Sequence, residues 1–157
     1  MVLDTDSRSL FRFATLLKQL YIVARGRLDP KLERAKRFSD ARYMSLETYR
    51  KSGNPVRTTV WVVEDAGVVY VRTSPRSGKV KRIRRDPHVR LVQTNLRGKV
   101  SGEWVDGEAQ LVEGEESGRV LELFRRKYGL QLRLLGWLGR ITRSPQQQPV
   151  IVGIAVR

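Results

Sequence analysis

Residues 73–87, TSPRSGKVKRIRRDP, combine hydroxyl, glycine and basic side chains in an order that suits the binding of an anion. The apolar positions after Gly78 recur at helical spacing, so we predict a helix that begins at Gly78 with Ser77 as its N-cap. The first turn of a helix has unpaired backbone N–H groups and a partial positive charge, which together favour a phosphate. The hydroxyls of Thr73 and Ser77 and the ammonium group of Lys79 would add donors. The segment therefore predicts a phosphate site.

Four further cations follow on the same predicted helix: Lys81, Arg82, Arg84 and Arg85. They either extend the charged site or form a solvated face of the helix. Since the apolar residues of this helix must face the core, not all of these cations can contact one ligand. The segment lacks the GxxxxGK[ST] and GxGxxG patterns of common phosphate-binding loops.

The composition limits the kinds of chemistry that the chain can perform. Its 157 residues suit one domain, and 31 basic against 16 acidic residues give a formal net charge of +15. A chain this basic is expected to bind an anion, and three classes of anion are possible: a nucleic acid, an anionic membrane or a phosphorylated ligand. The absence of cysteine excludes disulfides, thiolate ligands and cysteine nucleophiles. We interpret the single histidine, His88, as a strand-edge residue, and we predict no metal site.

Residues 1–38 are predicted to form an N-terminal helical extension. Leucine and aromatic residues at residues 7–25 have the spacing of an amphipathic helix, and a short helix restarts at Asp29 and Pro30. The first helix either packs on the domain or a second subunit, which we favour, or rests on anionic lipid. It contains Arg12, Lys18 and Arg25, so it does not span a membrane, and the acidic start is unlike a secretory signal. We therefore expect a cytoplasmic protein.

Residues 39–157 are predicted to be mainly β. A hairpin is predicted at Asp106 and Gly107, so residues 108–112 form either a separate strand or the far arm of a bent one. A helix is predicted at 113–129, with acidic residues in its first turn and basic residues in its last, and residues 130–141 are ambiguous. Short strands with tight turns are typical of a closed or nearly closed antiparallel barrel, here six-stranded with flanking helices. The predicted strands are 41–50, 56–63, 68–73, 88–94, 99–105 and 149–157.

The segments MSLETYRKSGNPVRTTVWVV and VVYVRTSPRSGKVKRIRRDPHVRLV closely resemble the split-barrel flavin and deazaflavin oxidoreductases related to pyridoxamine 5′-phosphate oxidase. The shared order is Thr-x-Arg-x-x-Gly-x-Pro, a Val-Trp strand, a strand that ends in Thr, Ser-x-Lys-x-x-Arg-x-x-x-x-Pro and Arg-Gly-Lys. The likeness runs from about Ala41 to Gly129, with an expected extension to the C-terminus, and is nearest to the branch that uses the deazaflavin coenzyme F420. It implies an α+β fold of the FMN-binding split-barrel type, and a homodimer with cofactor sites at the subunit interface.

The resemblance also implies roles for particular residues. The cofactor phosphate would lie at the start of the basic helix, the strand from Arg57 to Trp61 would run along the ring system, and Lys99 would lie near the ring edge. At Thr59 the branch often has proline, so ring contacts there are expected to differ. We name no catalytic residue, because hydride chemistry belongs to the cofactor. The predicted cofactor-binding residues are Arg57, Thr58, Thr59, Val60, Trp61, Thr73, Ser77, Gly78, Lys79, Lys81, Arg82 and Lys99.

Three functions follow as hypotheses. The first is an oxidoreductase that uses F420 to transfer hydride to or from an unidentified small organic acceptor, with Trp61 and Trp104 as candidate pocket walls or, equally, packing residues. The second keeps the fold and binds FMN or haem instead. The third is a basic barrel that binds nucleic acid by stacking bases on strand aromatics such as Tyr43, Tyr49 and Tyr70. The resemblance favours the first and predicts no specific nucleic acid.

Overall fold

The computed structural model describes residues 29–141 and 148–157, so the helix predicted at residues 7–25 lies outside the described residues. The six strands close into an antiparallel barrel in the order β1-β2-β3-β6-β5-β4. This confirms the predicted six-stranded barrel with flanking helices. None of the helices in the described part is long and apolar enough to cross a membrane. The elements are α1 (Pro30–Lys36), β1 (Tyr43–Tyr49), β2 (Pro55–Asp65), β3 (Val68–Thr73), α2 (Gly78–Arg85), β4 (His88–Thr94), β5 (Val100–Val112), α3 (Gly114–Ile141) and β6 (Val150–Val156).

The barrel interior is filled by aliphatic side chains from alternate strand positions, as expected for a small barrel. Ala35 and Phe38, which the sequence assigns to the N-terminal extension, also lie in this core and are almost fully buried. Helix α1 begins as predicted, since Asp29 Oδ1 accepts the N–H of Lys31 at 2.9 Å and Pro30 occupies the first turn. The interior strand residues include Met44, Leu46, Val62, Val69, Leu91, Val105 and Ile154.

A second apolar cluster lies outside the barrel, where helix α3 packs on β2, β3 and β6. Phe124 and Tyr128 of the helix contact Val63, Tyr70 and Ile151 of the sheet. The helix runs to Ile141, well beyond the predicted end at residue 129. The prediction that residues 125–127 form its basic last turn is therefore wrong, because the leucine-rich residues after Gly129 continue the helix without a stop signal.

Strand β5 passes through Asp106 and Gly107 without turning, so the predicted hairpin is wrong, and residues 108–112 are the far arm of one strand, the second of the two predicted alternatives. These two residues pair with β4, Asp106 opposite Arg90 and Gly107 opposite Val89. A side chain at Gly107 would collide with its neighbours, since its Cβ would lie 2.8 Å from Ile154 Cγ2 and 3.2 Å from the carbonyl oxygen of Ala155. Glycine is thus required here for close packing of adjacent strands and not for a turn.

Candidate functional site

The predicted phosphate site forms a connected cluster where β3 ends and α2 begins. The Thr73 hydroxyl donates to Ser77 Oγ at 3.3 Å, and Lys79 Nζ donates to Thr73 Oγ1 at 3.2 Å. Helix α2 begins at Gly78 with Ser77 as N-cap, as predicted. The Ser77 side chain makes no capping hydrogen bond and joins Thr73 instead. Two hydroxyls, one ammonium group and a free helix start therefore converge, and we call Thr73, Ser77, Gly78 and Lys79 the anion cradle.

Arg82 joins the anion cradle to the end of strand β1. Its Nε donates to the hydroxyl of the buried Thr48 at 2.8 Å. The same guanidinium lies against the backbone of Gly78, because a Cβ there would be 2.9 Å from Arg82 Nη1. Glycine at this position therefore leaves room for a cation beside the helix start. Lys81, by contrast, is exposed and takes no part in these hydrogen bonds.

The electrostatics of this region suit a negatively charged ligand. Burial lowers the pKa of Lys79 below its ordinary value, and the charge of Arg82 lowers it further. Burial likewise lowers the pKa of Arg82, together with the charges of Arg50 and Arg85. Among the described residues, no carboxylate forms an ion pair with these four side chains. An anionic ligand would supply the missing counter-charge.

Strand β2 has an open edge beside the anion cradle. Strand β1 pairs with β2 from Pro55 to Trp61, whereas β3 pairs with β2 only from Val62 to Asp65. The N–H and carbonyl of Val62 meet the Tyr128 hydroxyl at 3.1 and 2.7 Å, and the same hydroxyl lies 2.7 Å from the carbonyl of Arg42, just before β1. These contacts place the backbone groups of Val62 on the β1 side of the strand.

The N–H and carbonyl groups of successive residues point to opposite sides of a strand. Those of Arg57 and Thr59 therefore point away from β1, towards the open edge. On that side no backbone hydrogen bond reaches them from the described residues. The predicted ring-contacting strand thus has two residues with backbone donors and acceptors available for a ligand, whereas Thr58 and Val60 point their backbone groups towards β1.

Lys99 lies in the loop between β4 and β5, which approaches Thr59. Asn95 Oδ1 accepts the N–H groups of Arg97 and Lys99 at 2.9 and 3.0 Å, which holds the loop tightly. A Cβ on Gly98 would lie 3.6 Å from Thr59 Oγ1, so the loop and the open edge of β2 are in contact. Lys99 also lines a shallow concavity of about 390 Å³. The structure therefore places Lys99 next to the glycine that approaches the predicted ring-contacting strand, and its contact with a ring stays a prediction.

The two candidate pocket tryptophans have different surroundings. Trp61 is half-buried and stacks on Tyr128 with ring centroids 5.0 Å apart, so it packs against helix α3. Trp104 lies on the outer face of β5 and contacts the guanidinium groups of Arg57 and Arg90. Only Trp104 is therefore surrounded by charged, partly exposed side chains.

Sequence reasoning did not select Thr48, Arg50 or Glu47 as site residues. Thr48 and Arg50 belong to the Thr-x-Arg-x-x-Gly-x-Pro motif, which was a usable signal. Glu47 had no such signal, since a glutamate in a strand is usually exposed. It is nearly fully buried, and its carboxylate accepts hydrogen bonds from Arg57 and Tyr49.

The chain belongs to the pyridoxamine 5′-phosphate oxidase family, whose sequence pattern matches residues 31–152. This match confirms the family resemblance that the sequence motifs indicate. Similar solved structures include the heme storage protein HutZ of Vibrio cholerae, which is 16% identical over 83% of this chain and 91% of that chain, with a TM-score of 0.59. None of the curated proteins matches the chain.

Two further solved structures are similar. A conserved hypothetical protein from Mycobacterium tuberculosis is 22% identical, covering 83% of this chain and 82% of that chain, with a TM-score of 0.55. An FAD-binding protein from Mesorhizobium loti is 16% identical, covering 83% of this chain and 90% of that chain, with a TM-score of 0.53. At such low identity these likenesses show a shared fold and do not identify the ligand of this chain.

Proposed function

We propose that the protein is an oxidoreductase that uses the deazaflavin coenzyme F420 to transfer hydride to or from a small organic acceptor, and that the cofactor binds at the interface of a homodimer. The observation that carries the proposal is the anion cradle beside the open edge of β2. One feature suits a phosphate and the other suits the polar edge of a flat ring, and the two are adjacent in the fold. Membership of an oxidoreductase family supports the same conclusion.

The donor set of the chain fits such a cofactor. The phosphate would be held by the side chains of Thr73, Ser77 and Lys79 and by the backbone at Gly78. Because Gly78 has no Cβ, the guanidinium of Arg82 can approach the helix start. The open backbone groups of Arg57 and Thr59 would meet the ring. When bound, the cofactor supplies hydride chemistry, and the protein supplies binding and orientation. The residues described here orient the ligand and carry none of the redox chemistry themselves.

Basic residues extend beyond the anion cradle, and this favours F420 over FMN. Lys79 belongs to the cradle and Arg82 lies beside it, and the charges of Arg50 and Arg85 lower the pKa of Arg82. F420 carries an oligoglutamate tail beyond its phosphate, whereas FMN ends at one phosphate. A row of cations without acidic partners in the described part suits the longer anion. FMN remains the second candidate, since a protein of the same fold binds a flavin.

Haem and nucleic acid are less well supported. His88 is the only histidine; it is exposed, stacks on Tyr49 and lies 3.6 Å from Asp106. That placement on a charged outer face does not favour an axial haem ligand. Trp61 and Tyr70 pack beneath helix α3, so the strand aromatics do not form one exposed surface on which bases could stack.

Parallel titrations test the proposal. Purified protein would be titrated with F420, FMN and a short single-stranded oligonucleotide at moderate salt. We expect tight binding of F420, weaker binding of FMN, and oligonucleotide binding that falls steeply with salt. FMN binding with no F420 binding would overturn the choice of cofactor. Oligonucleotide binding that persists at high salt, without binding of either cofactor, would overturn the function.

A further inference from the structure

Four charged residues form one row across the outer face of strands β2, β1, β4 and β5. Arg57 lies opposite Glu47, Glu47 opposite Arg90, and Arg90 opposite Asp106. Their charges alternate in sign along the row. Cross-strand neighbours lie within reach of each other's side chains, so the row is a chain of ion pairs.

Glu47 is the buried residue of this row, and its carboxylate holds its neighbours in place. Its side chain is only 2% exposed, and its carboxylate accepts Arg57 Nε at 2.8 Å and the Tyr49 hydroxyl at 2.9 Å, with Arg90 Nη1 at 3.6 Å. Burial raises the pKa of Glu47, but the hydrogen bonds from Arg57 and Tyr49 and the charges of Arg57 and Arg90 outweigh it and hold the pKa below its ordinary value. The buried carboxylate is therefore ionised and holds both arginines in place.

The two arginines differ in the number of carboxylates that they meet. Arg90 lies between Glu47 and Asp106 and is within 4 Å of both. Arg57 pairs with Glu47 alone, through Nε, and its side chain is 62% exposed. Its terminal nitrogens therefore have no acidic partner among the described residues. Arg57 itself lies two residues before Thr59 along strand β2.

Trp104 provides a flat surface beside this free guanidinium edge. The Arg57 Cζ atom lies 5.0 Å and the Arg90 Cζ atom 5.3 Å from the centroid of the indole ring. Both distances are typical of cation–π contacts, which hold the ring and the arginines in one arrangement. An aromatic surface next to a guanidinium suits a flat molecule with a negative group at its edge.

We propose that Arg57 and Trp104 form the acceptor site, and that the acceptor is a planar molecule with a carboxylate or similar anionic group. The ring of the ligand would lie against Trp104, and its anionic group would meet the free nitrogens of Arg57. Glu47 is a positioning residue, because it orients Arg57 without touching the ligand. The role as an acceptor site rests on the proposed function, since it places the site beside the strand that would contact the cofactor ring.

Three small probes test the site in the full-length protein: naphthoate, its neutral amide naphthamide, and the non-planar cyclohexanecarboxylate. Affinities would be measured by calorimetry with and without F420. We expect naphthoate to bind about tenfold more tightly than naphthamide, the scale for a hydrogen bond to a charged group. Naphthoate should also bind more tightly than cyclohexanecarboxylate, which keeps the carboxylate but has no flat ring to stack on the indole. Similar affinities for naphthoate and naphthamide would overturn the proposal.

Variants separate recognition from structure. Arg57→Gln and Trp104→Leu should each weaken naphthoate binding by about fivefold to tenfold, while naphthamide should respond only to Trp104→Leu. Glu47→Gln should weaken naphthoate binding, and Arg57→Lys should recover only part of the affinity lost in Arg57→Gln, because lysine lacks the planar fork. Arg125→Gln, which removes an exposed charge from α3, is the control for loss of net charge. Unchanged naphthoate binding in folded Arg57→Gln or Trp104→Leu protein would overturn the proposal.

A separate titration of the same variants with F420 distinguishes the two proposals. Trp104→Leu should bind F420 within about twofold of the unmodified protein, because no cofactor contact is assigned to Trp104. F420 binding without selective naphthoate binding would overturn only the acceptor site. Selective naphthoate binding in a protein that binds neither F420 nor FMN would overturn the proposed function and leave the planar-anion site standing.

Discussion

Lys79 Nζ lies 3.2 Å from Thr73 Oγ1, so the second residue of helix α2 is hydrogen-bonded to the last residue of strand β3. The Thr73 hydroxyl in turn donates to Ser77 at the helix cap. The groups predicted to hold a phosphate are therefore assembled before any ligand arrives, which lowers the entropy cost of binding. This arrangement leads to three predictions about cofactor binding.

Lys79→Ala should weaken cofactor binding by about 1–3 kcal/mol, because a hydrogen bond to a charged group is lost. The thermal midpoint should change little, since the half-buried ammonium has no acidic partner in the described part of the chain. A calorimetric titration of F420 measures the first effect. Lys36→Ala removes an exposed lysine from α1 and is the matched control. Equal F420 affinity in both variants would remove Lys79 from the site.

Cofactor affinity should fall as the solution becomes alkaline. Burial, followed by the charge of Arg82, lowers the pKa of Lys79, so in the free protein the ammonium loses its proton below the ordinary value of 10.5. An anion binds the protonated form, so affinity decreases as the pH rises through the lowered pKa. Lys79→Arg should make the alkaline profile flat, because arginine keeps its proton. A decline of equal slope in both proteins would assign it to another group.

Gly78→Ala should weaken binding without loss of stability. The new Cβ would lie 2.9 Å from Arg82 Nη1, and the flexible guanidinium must move away from the helix start. Alanine is favoured over glycine in helices by about 0.5–1 kcal/mol, so the free energy of unfolding should stay level or rise slightly. F420 affinity should fall by about fivefold.

The control for this variant is Gly118→Ala on helix α3, where an added Cβ meets nothing within 4 Å. Chemical denaturation and F420 titration would be run on both variants. Loss of F420 affinity in Gly118→Ala as well would show that the effect does not depend on the cradle.

Tyr128→Phe should lower the free energy of unfolding by about 1–3 kcal/mol, because buried backbone groups lose a partner. The Tyr128 hydroxyl contacts the N–H and carbonyl of Val62 and the carbonyl of Arg42, and so extends the pairing of β1 with β2. Denaturant unfolding measures the loss. Tyr43→Phe removes a hydroxyl that makes no hydrogen bond to the described residues, and it should cost much less.

The same hydroxyl predicts an alkaline loss of stability. Burial raises the pKa of Tyr128 to about 12 from an ordinary value of 10.0. A raised folded pKa contributes stability that is fully present below 10.0 and is lost as the pH rises through about 12. The difference in stability between the unmodified protein and Tyr128→Phe should therefore shrink over that range. A constant difference would show that the hydroxyl ionises normally.

The anion cradle could be predicted from sequence because its residues are neighbours in the chain. Ser77 as the cap, Gly78 as the first helical residue and Lys79 beside them follow from local backbone chemistry, and the structure confirms the helix start. The strands at 68–73 and 88–94 were likewise predicted to the residue, since their β-branched residues and flanking turns act locally.

Contacts between distant parts of the chain were decided by the tertiary structure. Arg82 reaches Thr48 only because α2 packs at the end of β1, and Glu47 is buried only because β2 and β4 place Arg57 and Arg90 on either side of it. A local pattern contains no information on strand register, so Gly107 was predicted as a turn when its role is to leave space for β6. Local sequence patterns account for the charge, for the predicted phosphate motif and for most of the helices and strands, although not for the end of α3 or the continuity of β5. Barrel closure decided which edge of β2 stays open and which side chains meet there, because both depend on residues far apart in the chain.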